Sequence, residues 1–249
     1  MTAVLDLTDP TSWPDNLHRC LDTLQDVFHG WEKGAGAVKA ADYDHAGAEL
    51  YEVLQPYSLL AWHCTRLTDH EHHCIVREGM KLPNGDMLLR RIVAARTDGL
   101  LAPDVTDLLL AKHQADHPNR VSRIWFCFFP PRVAGESGIG RFFRYWGGEA
   151  LYGMHEPDPV TGPALRVIGR PSLVEAEVPV ASLGRHTYLT TKVARRYLVH
   201  QGFETRECTD HEGCALQPLP AAAIRRVITL DDPDFVALTG CDGWKGPDS

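Results

Sequence analysis

The sequence predicts an α+β fold with an N-terminal helical extension. Three observations carry this. Apolar residues recur at helical spacing near the N-terminus. Residues 58–67 alternate as a strand does. Residues 121–129 are apolar on both faces in their second half, which suits a central strand covered on both sides.

Taken in order, Ser12-Trp13-Pro14-Asp15 reads as a helix start, with a capping hydroxyl, an early Pro and an acid three residues on. Leu17, Cys20, Leu21, Leu24, Val27, Phe28 and Trp31 follow at helical spacing, and Gly30, Gly34 and Gly36 break the run. A second helix is expected over Val38 to Leu54, ending before Pro56. The strand from Ser58 to Leu67 sets Leu60, Trp62, Cys64 and Arg66 on one face, and Leu59, Ala61, His63, Thr65 and Leu67 on the other. Helical patterns cover Met87–Arg96 and Val105–His117, where Pro118 stops the second. Val121 to Phe129 reads as the central strand, closed by Pro130-Pro131.

A Gly-rich loop is expected over Gly135 to Gly140 and another loop over Glu156 to Pro163. Strands are expected over Leu165–Ile168, Leu173–Val180 and Ala223–Leu230. A helix from about Thr187 to Val199 should end at Gly202. The expected organisation is a helical extension over 1–57, an α+β domain over 58–230, and a loose acidic tail over 231–249 in which Phe235, Val236 and Leu238 can dock.

The chain has 249 residues and is 44% apolar, enough to bury a sizeable core. Its charge is 25 − 33 = −8, which disfavours a nucleic-acid binder that relies on a global basic field. Four local arginine groups, Arg90-Arg91, Arg141 with Arg144, Arg195-Arg196 and Arg225-Arg226, are the candidates for a local basic groove, and read more simply as solvated faces or snorkelled core edges. Met1 to Asp15 carries Asp6 and Asp9 and lacks a signal-like apolar run, and no segment approaches the length of a membrane span. The seven Cys are scattered, so the expectation is a cytoplasmic protein with reduced thiols and no membrane partner.

The densest signal is Phe142-Phe143-Arg144-Tyr145-Trp146-Gly147-Gly148-Glu149-Ala150-Leu151-Tyr152. A Gly-Gly pair is costly inside a helix, and a surface loop has no use for so many rings. The combination suits a cleft wall, where backbone approaches a ligand and a carboxylate meets a polar group. The plainer reading is a helix N-terminus with Glu149 in its first turn, packed on apolar rings. A second cluster, His63, Cys64, His70, His72, His73 and Cys74 with Cys208, His211 and Cys214, invites zinc by residue type, although its spacing is poor for a structural site. His63 and Cys64 point to opposite strand faces, so they make a poor nucleophile–base pair. Phosphate-loop, nucleophile-elbow and dinucleotide fingerprints do not occur.

The strand Trp62-His63-Cys64-Thr65-Arg66, followed by a helix and then Ile75-Val76-Arg77-Glu78-Gly79-Met80, resembles the opening of ADP-ribosyltransferase-like domains, among them DarT-type toxins and RNA 2′-phosphotransferases. The resemblance spans roughly 58–230. It implies two small split sheets with NAD between them, and cleavage of the nicotinamide–ribose bond with transfer of ADP-ribose to an acceptor or to water. It implies that His63, with Thr65 and Arg66, contacts a ribose or phosphate of NAD, and that Tyr145 or Trp146 stacks on nicotinamide beside Gly148. A catalytic carboxylate is implied as well. Glu149 is the first choice, because glycines let backbone approach a ligand and the flanking rings would desolvate the acid. Glu177 is the second, with Glu175 and Glu212 as competitors. A toxin of this kind would have a neutralising partner. Two other readings stand beside it: a non-catalytic module that binds a nucleotide or partner, and a zinc protein or hydrolase built on the His/Cys cluster.

Overall fold

The computed structural model describes residues 3–34, 36–184 and 188–241, with backbone alone for 135–138. It is α+β, about half helix, with an open sheet. In chain order the elements are β1 (Val4–Leu5), α1 (Asp15–Lys33), α2 (Ala40–Leu54), β2 (Ser58–Leu67), α3 (Asp69–Glu78), α4 (Gly85–Thr97), α5 (Pro103–Ala111), β3 (Ile124–Cys127), α6 (Gly135–Arg144), α7 (Glu149–His155), α8 (Thr161–Val167), β4 (Arg170–Pro179), α9 (Leu189–His200), β5 (Glu212–Ala215), β6 (Ile224–Thr229) and α10 (Pro233–Thr239). Hydrogen bonding orders the strands β5-β3-β2-β4-β6, with β1 parallel on β2. β4 and β6 run antiparallel, Leu173 opposite Ile228, with a register shift between Glu175 and Ala176.

The chain divides into two compact units. The first gathers the described residues of Met1–Ala61, Cys127–Phe129 and Glu177–Cys214. The second gathers those of Trp62–Phe126, Pro130–Ala176 and Ala215–Ser249.

In the first unit α1 packs on α2 and α9. Leu17, Leu21, Leu24 and Phe28 fall on one face of α1 and are all buried. Each such side chain contributes about 2 kcal/mol by leaving water. The start of α1 differs from expectation. Ser12 closes a short 3-10 turn, and α1 begins at Asp15 behind Pro14 without a side-chain cap. Near its C-terminus Glu32 is buried and accepts from Arg195 Nε at 2.8 Å and from the Arg206 N–H at 2.8 Å. Burial alone would raise the Glu32 carboxyl, but these donors outweigh it and hold the group below its ordinary range.

The second unit is built around Leu88, Ile92, Leu109, Tyr145, Trp146, Leu151, Leu165 and neighbouring buried residues. Three elements here depart from expectation. The Gly135–Gly140 stretch is the start of α6, because Ile139 and Phe143, four residues apart, are both buried, and burial outweighs the propensity cost of glycine. Leu165–Ile168 is not a strand. Leu165 lies four residues after buried Thr161, a helical spacing that gives α8, and Ile168 is extended just past its end. α5 stops at Ala111 rather than near His117, and the Lys112 carbonyl accepts from His155 Nε2 at 2.7 Å instead of capping a longer helix. The expected loose tail contains α10, capped by Asp232 and begun by Pro233. Its Phe235 is buried edge-on to Phe143, with centroids 5.1 Å apart. Residues 242–249 of that tail, and Thr187 at the expected start of α9, lie outside the described residues.

His211 in the first unit is buried and stacks on Phe128, and its Nε2 has no hydrogen-bond partner among the described residues. Burial, with some help from the Lys192 ammonium, pushes its imidazole down to about 4 from 6.5. Above pH 6.5 the native and unfolded chains are both neutral at this residue. As pH falls from 6.5 towards 4 the unfolded chain takes the proton first, so stability is lost through that window, by about 3 kcal/mol from this residue. Urea unfolding at several pH values should show this slope, and His211→Phe should flatten it. An unchanged slope in the variant contradicts the assignment.

Candidate functional site

The candidate site lies in the second unit, where β2, α3, α4 and the Phe142–Tyr152 segment carry most of the expected residues. It starts from a helix cap. Thr68 accepts from the Glu71 N–H at 3.2 Å, and Glu71 accepts in return from the Thr68 N–H at 2.8 Å, a complete capping box. The same Glu71 carboxylate accepts from Arg91 Nε at 2.5 Å and from the Trp146 indole N–H at 2.9 Å. Burial alone would raise Glu71. Arg91, the Thr68 N–H and the indole more than offset that, so the carboxyl stays low and ionised. The Arg91 guanidinium also lies over the Trp146 ring, 5.0 Å from its centroid.

His63 extends from β2, and its Nδ1 is 2.8 Å from the Trp125 carbonyl. A carbonyl only accepts, so Nδ1 carries the hydrogen. Burial lowers the imidazole and the Arg91 charge lowers it further, so the ring is neutral near pH 7. Nε2 therefore presents a lone pair. Thr65 shares the His63 face of β2 by alternation and is half-buried.

Three other expected contacts are placed differently. Tyr145 and Trp146 are both 0% exposed. Here they are core residues with no open face to lay on a nicotinamide ring. Tyr145 lies 5.1 Å beneath the Arg166 guanidinium, which donates to its hydroxyl at 2.7 Å. All three guanidinium nitrogens of Arg66 donate to backbone carbonyls, Nε to Ile168 at 2.6 Å and the other two to Phe143 at 3.0 Å and Gly169 at 2.9 Å. Arg66 thus ties β2 to the ends of α6 and α8.

Gly147 and Gly148 both have positive φ, 85° and 59°. They end the buried stretch and turn the chain into α7, whose first residue is Glu149. A carboxylate there suits the positive end of the helix. Glu149 pairs with Arg120 Nε at 3.1 Å, and its side chain is 48% exposed. Burial, with the nearby Glu149 carboxylate adding to it, pushes the Tyr152 phenol well up, so it stays protonated.

The remaining acids sit elsewhere. Glu175 on β4 accepts from Trp62 Nε1 at 3.4 Å and pairs with Arg226. Glu177 belongs to the first unit, half-buried on β4, and Glu212 is exposed on β5. In α3 the His70 Nε2 is 3.6 Å from Cys74 Sγ, and His73 Nδ1 meets the Asp69 carbonyl. Among the described residues no three His, Cys, Asp or Glu side chains converge as a metal site. No described helix is long and apolar enough to cross a membrane.

Sequence reading missed Glu71, Arg91, Arg120 and Tyr152 as site residues. The Thr68-x-x-Glu71 spacing was a readable signal for the cap, but nothing local to residue 120 pairs it with residue 149.

The two glycines differ in what a side chain would meet. A Cβ on Gly147 would come 2.3 Å from Leu151 Cδ1, whereas one on Gly148 meets no atom within 4 Å. Gly148→Ala should cost only backbone strain, about 1–2 kcal/mol. Gly147→Ala adds a clash with a fully buried leucine and should cost about 1–3 kcal/mol more. Urea unfolding of both variants checks this, and equal losses contradict it.

No family model, curated protein or solved structure matches the chain.

Proposed function

We propose that the chain is an ADP-ribosyltransferase-like enzyme that cleaves the nicotinamide–ribose bond of NAD and passes ADP-ribose to an acceptor or to water, with Glu149 as the reacting carboxylate. The observation that supports it most is the presentation of Glu149. The acid follows a two-glycine turn, is half-exposed, and is held by Arg120. Glu71, held by Arg91 and Trp146, is consumed by structure. Glu149 is accessible.

The chemistry requires such a group. Nicotinamide leaves with the electron pair of its bond to ribose, which neutralises its ring and leaves an oxocarbenium-like sugar. A carboxylate stabilises that charge. The acceptor oxygen or nitrogen then bonds to the anomeric carbon, and its proton passes to the carboxylate. His63 fits a ribose contact better than a phosphate contact. A neutral imidazole with an open Nε2 lone pair accepts from a hydroxyl and has no charge to offer a phosphate. Tyr145, Trp146 and Arg66 enter this reading as the scaffold that holds the turn.

The enclosure of both expected stacking rings favours one second reading, a module that binds a nucleotide without turning it over. Mass spectrometry of the protein incubated with NAD, beside Glu149→Gln, separates the two. Free nicotinamide from the wild type, reduced at least about 100-fold in the variant, is the expected result. Binding with NAD left intact supports the module. Undiminished turnover in the variant moves the carboxylate to Glu177, Glu175 or Glu212.

A further inference from the structure

We propose that Arg120 is a positioning residue for the Glu149 carboxylate. This rests on the reading of Glu149 as the reacting carboxylate. Arg120 belongs to the turn that precedes β3, and that turn is fastened at several points. The Arg120 N–H donates to the His117 carbonyl at 2.8 Å, and the Ser122 N–H to the Pro83 carbonyl at 2.8 Å. Arg123 Nε donates to the Pro118 carbonyl at 3.2 Å. Ser122 holds a left-handed backbone, φ 58°, which an L residue keeps only where its surroundings enforce it. The guanidinium therefore projects from a fixed base, and its side chain is 23% exposed.

It meets Glu149 by one atom pair, Nε on Oε2 at 3.1 Å. Tyr152, one turn along α7, is covered by the Arg141 guanidinium, 5.8 Å from the ring centroid. A glutamate side chain has three rotatable bonds, and a donor on a separate, fastened element limits where its oxygens lie. The pair is too exposed to contribute much to folding. Its consequence is orientation, and a carboxylate displaced by about 1 Å loses on the order of 100-fold in rate.

The test measures kcat and KM for NAD in wild type, Arg120→Gln and Arg120→Lys, with thermal melts of each. Arg120→Gln should lower kcat about 100-fold, leave KM within about twofold, and melt within about 4 °C of wild type. Arg120→Lys should recover part of kcat, since it restores a cation without the fork. Wild-type kcat in Arg120→Gln, or a loss confined to KM, overturns the inference while the proposed activity stands. A wild type that leaves NAD intact overturns both. If Arg120→Gln fails to fold, Arg120→Lys decides, because it lacks the Nε donor: a kcat equal to wild type overturns the inference.

Discussion

A single, mostly enclosed carboxylate beside an indole organises the candidate site. Glu71 closes the cap of α3, accepts from Arg91 on α4 and accepts from the Trp146 indole. Taking a carboxylate out of water is expensive, and it is tolerated here because three donors surround it. Removing one partner of such a group leaves the others buried and unmatched, at a cost of about 3 kcal/mol or more. The network therefore has one low-energy arrangement. That arrangement fixes Trp146, and Trp146 sits three residues ahead of Glu149.

Arginines repeat this logic along the segment. Arg91 lies over Trp146, Arg166 over Tyr145 and Arg141 over Tyr152, while Arg66 binds the carbonyl of Phe143. Each contributes modestly, since a cation over a ring is worth about 0.5–2 kcal/mol. Together they hold a chain segment that two positive-φ glycines would otherwise leave free to move. Arg91 has a further effect, because its charge disfavours a proton on His63. One guanidinium thus braces the turn and adds to the burial that keeps the imidazole neutral.

Periodicity made much of the fold legible. The bounds of β2 follow from its alternation, and α2, α4, β4, α9 and β6 lie close to where their patterns place them. Glycine misled the reading at α6, because local propensity does not record that Ile139 and Phe143 are buried by residues distant in sequence. At Leu165–Ile168 a four-residue apolar run looks the same for a strand and a helix. The site was legible as a segment but not as an arrangement. Aromatics beside a Gly-Gly pair marked the turn, yet the side on which the rings lie depends on Glu71 and Arg91, some 75 and 55 residues earlier. Of the arginine pairs read as solvated faces or snorkelled core edges, two hold enclosed carboxylates. Arg91 holds Glu71, and Arg195 is buried on Glu32.

The proposed function requires that the turn after Trp146 present Glu149 to a nucleotide whose ribose reaches His63. Crystals of the protein grown with a carbocyclic NAD analogue, which cannot be cleaved, test it most directly. The expected result is the nicotinamide-side ring within hydrogen-bond distance of the Glu149 carboxylate, and a hydroxyl of the analogue donating to His63 Nε2. Analogue bound away from both residues, or no bound analogue at saturating concentration, contradicts it.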